Sequence, residues 1–383
     1  MNIISIGTDR NLFTSGSPVQ KRQIEYATLF DDVHIIVFSR REHSLPEKIT
    51  IAPRVWVYAT NSRSRFSYIS DATRIAGNII REHGFDRATM VTTTQDPFET
   101  AAVGYSLKKN LGVPLHVQIH TDFLNPYFVS TGRMRDRALN RIRVFLAMKH
   151  LPHADSVRVV SRRIAASLES KKILPPQCHV TVLPVFVDTE TIRAHPRNNN
   201  LREKYSDFKF LVLMASRFTQ EKNIALGIDA FSQLSKKYPD RGLGLVIVGD
   251  GPEKSRIQNR INRLDLADTV VCEPWQNDVV SFYKTADVFL STSWYEGFGL
   301  SMVEAALAGC VVVATDAGIA PMLTRACPPG DAHCLSRKLS ELVASPELRE
   351  KYTQEARAWL EGELITDKQQ YFEQYRASLA AAV

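Results

Sequence analysis

Short apolar runs alternate with longer stretches in which apolar residues recur every three or four positions, and the alternation continues along nearly the whole chain. The first pattern predicts strands and the second helices. In the first half the strand-like runs are Ile3–Ile6, His34–Phe38, Val55–Tyr58, Ala88–Thr92, Leu115–Ile119 and Ser156–Val160. Helical patterns such as Pro18–Phe30, Ile69–His83 and Phe98–Asn110 lie between several of them. The second half repeats the scheme, with strands at Phe210–Met214, Leu243–Val248, Thr269–Cys272, Val288–Ser291 and Val311–Ala314. Its helices are expected at Ile224–Tyr238, Lys254–Leu264, Val279–Thr285, Ser301–Ala308 and Ser336–Ala344. Two successive βα series predict an α/β fold of two doubly wound, Rossmann-like domains, each a mostly parallel sheet with helices on both faces.

The seam falls near Leu183–Asn200, where a polar stretch ending in Pro196-Arg197-Asn198-Asn199-Asn200 has no periodicity. It divides a domain at 1–185 from one at 186–366, and the helical pattern Asp367–Ala382 lies in a tail at 367–383. A chain of 383 residues is long enough for two cores. Ligands of doubly wound sheets bind beyond the carboxyl ends of the strands, so a cleft between two such sheets is the expected place for chemistry.

Composition narrows the class. Apolar residues make up 44% and charged residues 23%, the usage of an ordinary globular protein rather than a disordered one. The start, Met1–Gly7, is a short apolar run without a basic leader, and no segment reaches 18 uninterrupted apolar residues. The expectation is a soluble, cytoplasmic protein. The five cysteines include no C-x-x-C pair, and Cys310 sits in an apolar run, which together predict reduced thiols in a reducing compartment.

The net charge of +7 is unevenly placed. Residues 1–190 hold 25 Lys and Arg against 17 Asp and Glu, and residues 133–172 alone hold eleven against three. A field of that sign attracts phosphates or an anionic membrane surface. Within this stretch Ala138, Leu139, Ile142, Phe145, Leu146 and Lys149 recur at helical spacing, an apolar face expected to pack on the sheet. Arg133, Arg135, Arg141, Arg143, Arg162, Arg163, Lys171 and Lys172 cannot all be buried cheaply.

Two segments carry the chemistry. In Ser293–Gly309 a strand passes through a turn with Gly297 and Gly299 into a helix. Glycines allow close approach of backbone to a ligand, and free N–H groups at a helix start favour an anion. Glu296 lies at the strand end, and Glu304 lies in the helix, within reach of ribose hydroxyls. The second segment, Met214–Asn223, also follows a strand. There Arg217 can fork onto diphosphate oxygens and Lys222 adds a point charge.

With these residues in place, the chain resembles the retaining glycosyltransferases of family 4, which have the GT-B fold. The resemblance runs through nearly the whole chain, and its most specific part is an E-x7-E element matched by Glu296 and Glu304. It implies that Glu296 contacts the donor sugar, Glu304 the ribose, and Arg217 and Lys222 the diphosphate. The backbone of Gly297, Phe298, Gly299 and Leu300 would line sugar and phosphates. Gly249 belongs to the usual G-x-G-P turn, and Trp275 follows Glu273 where the base is held. In the first domain the resemblance places Ser15 and Gly16 in the loop after the first strand, although many relatives have two adjacent glycines there. His120 matches the active-site histidine, while Gln95, Asp96 and Asp122 lie on the acceptor side. Val185-Phe186 stands where relatives usually have Asn-Gly.

The implied reaction moves a sugar from a UDP- or GDP-sugar to a glycan, phosphorylated or lipid-linked acceptor. Retention of configuration follows from the resemblance alone. Cations and helix-start N–H groups can hold the leaving diphosphate, and no D-x-D or clustered Cys/His pattern occurs, so no metal or other cofactor is required. Dinucleotide and P-loop fingerprints are absent, and no aromatic platform for nucleic acid accompanies the basic stretch. A non-catalytic sugar-nucleotide-binding module and another GT-B enzyme, such as a sugar-nucleotide epimerase, are the alternatives.

Overall fold

The apolar runs of the first half join in an eight-stranded sheet of order β3-β4-β2-β1-β5-β6-β7-β8. Its strands are β1 (Asn2–Gly7), β2 (Val33–Val37), β3 (Lys48–Ala52), β4 (Val55–Ala59), β5 (Met90–Thr94), β6 (Leu115–Ile119), β7 (Ser156–Val159) and β8 (His179–Val182). All pairs are parallel except β3 with β4. The second half forms a five-stranded parallel sheet, β11-β10-β9-β12-β13. These strands are β9 (Phe210–Ala215), β10 (Leu243–Val248), β11 (Val270–Glu273), β12 (Val288–Ser291) and β13 (Val311–Ala314). The central strands are buried on both faces, as in Val212, Leu213, Leu245, Val246, Val288 and Phe289. Each such side chain contributes roughly 1.5–3 kcal/mol by leaving water.

The computed structural model describes residues 1–383, which fall into two compact units. The first comprises Met1–Leu124, Ala138–Val185 and Asp367–Val383; the second comprises Asn125–Arg137 and Phe186–Thr366. In each sheet the strand order reverses beside its first strand, between β1 and β5 in the first unit and between β9 and β12 in the second. Chain segments leaving such neighbours diverge and open a crevice at the strand ends. No helix is long and apolar enough to cross a membrane.

Several expectations from the sequence require correction. Residues 125–137 were expected with the first domain, yet they pack in the second unit. There Tyr127 lies 4.9 Å from Trp294, and Phe128 meets Tyr295 edge-on at 5.5 Å. The strand expected at Ala88–Thr92 occupies Met90–Thr94, because Arg87–Thr89 form a 3-10 turn capped by the Asp86 carboxylate. Strands β3 and β8 were missed: both are sheet edges whose residues are largely exposed or half-buried, so neither reads as an apolar run.

The helix Met134–His150 buries Ala147 and His150, whereas Ile142 and Phe145 are 56% and 65% exposed rather than packed on the sheet. The cysteines are not all reduced, since Cys327 and Cys334 form a disulfide. Asp331 caps the helix Ala332–Ala344 through the Cys334 N–H, which turns Cys334 back toward the segment holding Cys327. Cys310 is a buried free thiol.

Candidate active site

At the second unit's switch point the loop after β9 and the loop after β12 are stitched together. Thr292 Oγ1 donates to the carbonyls of Lys222 and Asn223 at 3.0 and 2.9 Å. The Trp294 N–H donates to the Glu221 carbonyl at 2.8 Å. This brings Lys222 and Glu296, 74 residues apart, into an ion pair in which both side chains are largely buried. Ser293 Oγ donates to the same Glu296 oxygen at 2.7 Å. The sequence treated Lys222 and Glu296 as separate ligand contacts; here each is the other's partner. Arg217 stands apart, 67% exposed, with only Glu221 at 3.5 Å.

Local backbone explains how these groups are held. Gly249 follows β10 at φ 148°, and a Cβ there would meet the Ser216 carbonyl at 2.0 Å. The β10 turn therefore presses directly on the loop that carries Arg217, and Phe218 closes it by donating to the Asp250 carbonyl at 2.8 Å. Gly299, at φ 103°, precedes the helix Leu300–Ala308 in the left-handed conformation that glycine adopts without strain. Gly297 and Phe298 are buried, and Leu300 is 37% exposed at the start of the helix. Glu304 lies one turn in, where burial raises its carboxyl above the usual range. Trp275 is 59% exposed beyond β11. Its neighbour Glu273 is engaged by Lys204 at 2.5 Å and by the Tyr205 hydroxyl. Burial pushes Glu273 up, but these two partners outweigh it and hold the carboxyl low.

The first unit has its own polar cluster at the ends of β5 and β6. Gln95, directly after β5, covers Gly7 at the end of β1 and accepts from the Thr8 N–H at 3.2 Å. Asp96 accepts from the Phe98 N–H at 2.8 Å; burial nevertheless dominates and lifts its pKa to about 6. Asp122 is buried. Ser15 is exposed, and Gly16 turns at φ 72° with its N–H already given to Gln20 Oε1 at 2.9 Å.

His120 follows β6, and its pKa is lowered to about 3 by burial first and then by the Arg158 and Arg22 charges. His120 is nevertheless an exposed residue, and the direction, toward the neutral imidazole, is the part that holds. His120 Nε2 lies 3.3 Å from Gln118 Oε1, and Arg158 Nη1 donates to that oxygen at 3.0 Å.

Arg158 and Gln118 escaped the sequence reading. Arg158 is 3% exposed, and its partners are neutral: the Leu183 and Pro184 carbonyls, Gln118 and the Tyr371 hydroxyl. The available signal was the pair His116 and Gln118, polar residues two apart in a strand otherwise wholly apolar.

Two doubly wound α/β units, the second with a lysine–carboxylate pair at its switch point, are the architecture of the GT-B fold. The model of the family described as "Glycosyltransferase Family 4" matches residues 25–191, and that of "Glycosyl transferases group 1" matches residues 197–359, between them most of the chain. The chain belongs to this glycosyltransferase family. Alpha-monoglucosyldiacylglycerol synthase of Streptococcus pneumoniae is 24% identical over 78% of this chain and 67% of its own length. Other curated relatives align over 16% to 57% of their own lengths. Among solved structures, sucrose-phosphate synthase from Thermosynechococcus elongatus superposes with a TM-score of 0.75, and Anabaena HepE in complex with UDP with 0.73. Each is 19% identical and covers 100% of both chains, a likeness that carries the fold.

Proposed function

We propose that the chain transfers a sugar, with retention of anomeric configuration and without a resident metal, from a UDP- or GDP-sugar to an acceptor. The observation that carries this reading is the joining of Lys222 to Glu296 at the switch point, with Arg217 on the same loop and the Leu300–Ala308 helix beginning beside it. Cleaving a sugar–phosphate bond builds negative charge on the diphosphate, and two cations with helix-start N–H groups stabilise that charge. Lys222 then exchanges Glu296 for phosphate, which frees the Glu296 carboxylate to accept from a sugar hydroxyl. Glu304 takes the ribose, Gly249 and the Gly297–Leu300 backbone border the phosphates, and Trp275 borders the base. His120 is assigned to the reacting sugar, and Gln95, Asp96 and Asp122 to the acceptor. Ser15 and Gly16 complete the donor-side loop. That Anabaena HepE is described in complex with UDP supports a uridine donor.

The decisive experiment is turnover of a UDP- and GDP-sugar panel with acceptor present and absent, with the anomeric product identified by NMR. Acceptor-independent conversion to an epimer, or binding without turnover, would replace this reading with one of its alternatives.

A lipid-linked acceptor at the cytoplasmic face of a membrane is favoured by one feature: Ile142, Phe145 and Met148 are 56%, 65% and 43% exposed on a helix that also carries Arg141 and Lys149. Exposed apolar residues among cations suit an anionic lipid surface. The Streptococcus pneumoniae relative is named for a glycolipid product, which is consistent with this. Sedimentation with anionic vesicles at two salt concentrations tests it, and no binding at low salt leaves a glycan or soluble phosphorylated acceptor.

A further inference from the structure

The second unit holds a charged recess along the helix Lys254–Arg263, beside the segments Met214–Asn223 and Ser293–Gly309. The helix Lys254–Arg263 carries Arg256, Arg260 and Arg263, spaced four and three residues apart and so on one face. Together with Arg133 they line an open cavity of about 850 Å³. A neighbouring cavity of about 560 Å³ shares Arg133 and Arg256 and is walled by Tyr127 and Trp294. Those two rings lie 4.9 Å apart, tilted by 34°.

The charges in this recess are not balanced. Arg260 Nε donates to Asp229 Oδ1 at 2.5 Å, and Arg256 Nη1 donates to Glu253 Oε2 at 3.1 Å. Arg133 reaches the same Glu253 only at 3.9 Å, and Arg263 is exposed and makes no ion pair. Four guanidinium groups therefore share two carboxylates. Like charges gathered in this way repel one another, and an anion placed among them relieves the repulsion. A helix face that was merely solvated would have no need of a concave wall or of two aromatic rings beside it. Guanidinium forks suit the oxygens of a phosphate, and aromatic faces suit the C–H surface of a sugar ring.

We propose that this recess is a subsite for the phosphate of a phosphorylated saccharide, with Arg256 and Arg263 as its principal contacts and Trp294 and Tyr127 flanking the sugar. This rests on the glycosyltransferase reading above and adds a saccharide phosphate to the groups that the second unit binds. A phospholipid headgroup presents the same phosphate, so the source is decided by experiment.

Calorimetry of the full chain with hexose 6-phosphates, the parent hexoses and inorganic phosphate is compared with sedimentation on phosphatidylglycerol vesicles, for wild type and for R256A/R263A. Both side chains are exposed, and an unchanged melting temperature confirms that the variant folds; R256K/R263K provides a charge-preserving comparison. Hexose phosphates are expected to bind where parent hexoses do not, and R256A/R263A should weaken that binding about tenfold or more, with the lysine variant intermediate. Loss confined to vesicles assigns the same subsite to a headgroup. Phosphate binding equal in wild type and R256A/R263A, or absent from wild type with every probe, overturns the proposal. Titration with UDP and GDP is run in parallel: if it fails as well, the donor reading is at fault, and if it succeeds alone, only the subsite is.

Discussion

Arg158 donates to Gln118 Oε1 at 3.0 Å, and this contact decides the protonation pattern of His120. A guanidinium can only donate, so the oxygen of the Gln118 amide must face it, while Gln118 Nε2 donates to Thr93 Oγ1 at 3.1 Å. His120 Nε2, 3.3 Å from the same oxygen, then carries its hydrogen, and Nδ1 keeps the lone pair. The Arg158 charge also disfavours the imidazolium. Gln118→Glu places an anion at this point and should raise the His120 pKa. The acid limb of kcat/KM is expected to move to higher pH, whereas Gln118→Met should lower kcat without that move. An unshifted profile in folded Q118E would remove His120 from the reaction.

Glu296→Gln should leave the fold intact and lower kcat/KM by about ten- to a hundredfold. The loss of a charge-assisted hydrogen bond in the transition state costs on the order of 1.5–3 kcal/mol. Because Glu296 pairs with Lys222, the double variant with Lys222→Ala should lose less than the sum of the two single losses. Additive losses would mean that the two side chains act independently.

Arg217→Ala should weaken binding of the nucleoside diphosphate itself by about five- to tenfold, since this exposed guanidinium has only Glu221 at 3.5 Å to lose. Titration with UDP and GDP measures it. Wild-type affinity in the variant would move the diphosphate elsewhere.

Stability should fall as pH drops below about 6.5. His34 and His116 are fully buried, and both are held neutral: burial first, with nearby cationic groups second, lowers His34 to about 4 and His116 to about 3. The unfolded chain takes up the protons more readily, so the stabilisation is complete above the ordinary histidine pKa and is lost progressively toward these lower values. At about 1.4 kcal/mol per unit, each contributes on the order of 3–5 kcal/mol. His34→Phe keeps a ring against Trp56, now 4.6 Å away and stacked, and should flatten the melting temperature between pH 6.5 and 4. An equally steep fall in the variant would exclude His34 as a cause.

What was legible in the sequence follows from burial. Runs such as Phe210–Met214 and Leu243–Val248 stand out because parallel strands covered on both faces must be apolar throughout. β3 and β8 lack that constraint at the sheet edges, and nothing marks them. Glu296 and Lys222 were recognisable one at a time from their strand-end loops; their pairing depends on β9 lying beside β12, which no local pattern encodes. Nothing singles out Arg158 among the basic residues of 133–172, because a buried guanidinium is expected to have a carboxylate, and its partners here are carbonyls, an amide and a phenol.

The last helix, Lys368–Ala380, belongs to the first unit although the second unit's main body precedes it in the chain. During synthesis β6 and β7 therefore leave the ribosome long before Tyr371 and Tyr375, the rings that cover Arg158 from 6.0 and 5.2 Å. Until then a charged guanidinium and the Gln118 amide lack these partners, and Ser156 Oγ lacks the Ser378 carbonyl that it bonds at 3.1 Å. The first unit is therefore completed only after Phe186–Thr366 of the second have been made. The nascent chain thus holds an open first-unit sheet while the second unit is completed, a window in which that sheet is exposed to misassembly.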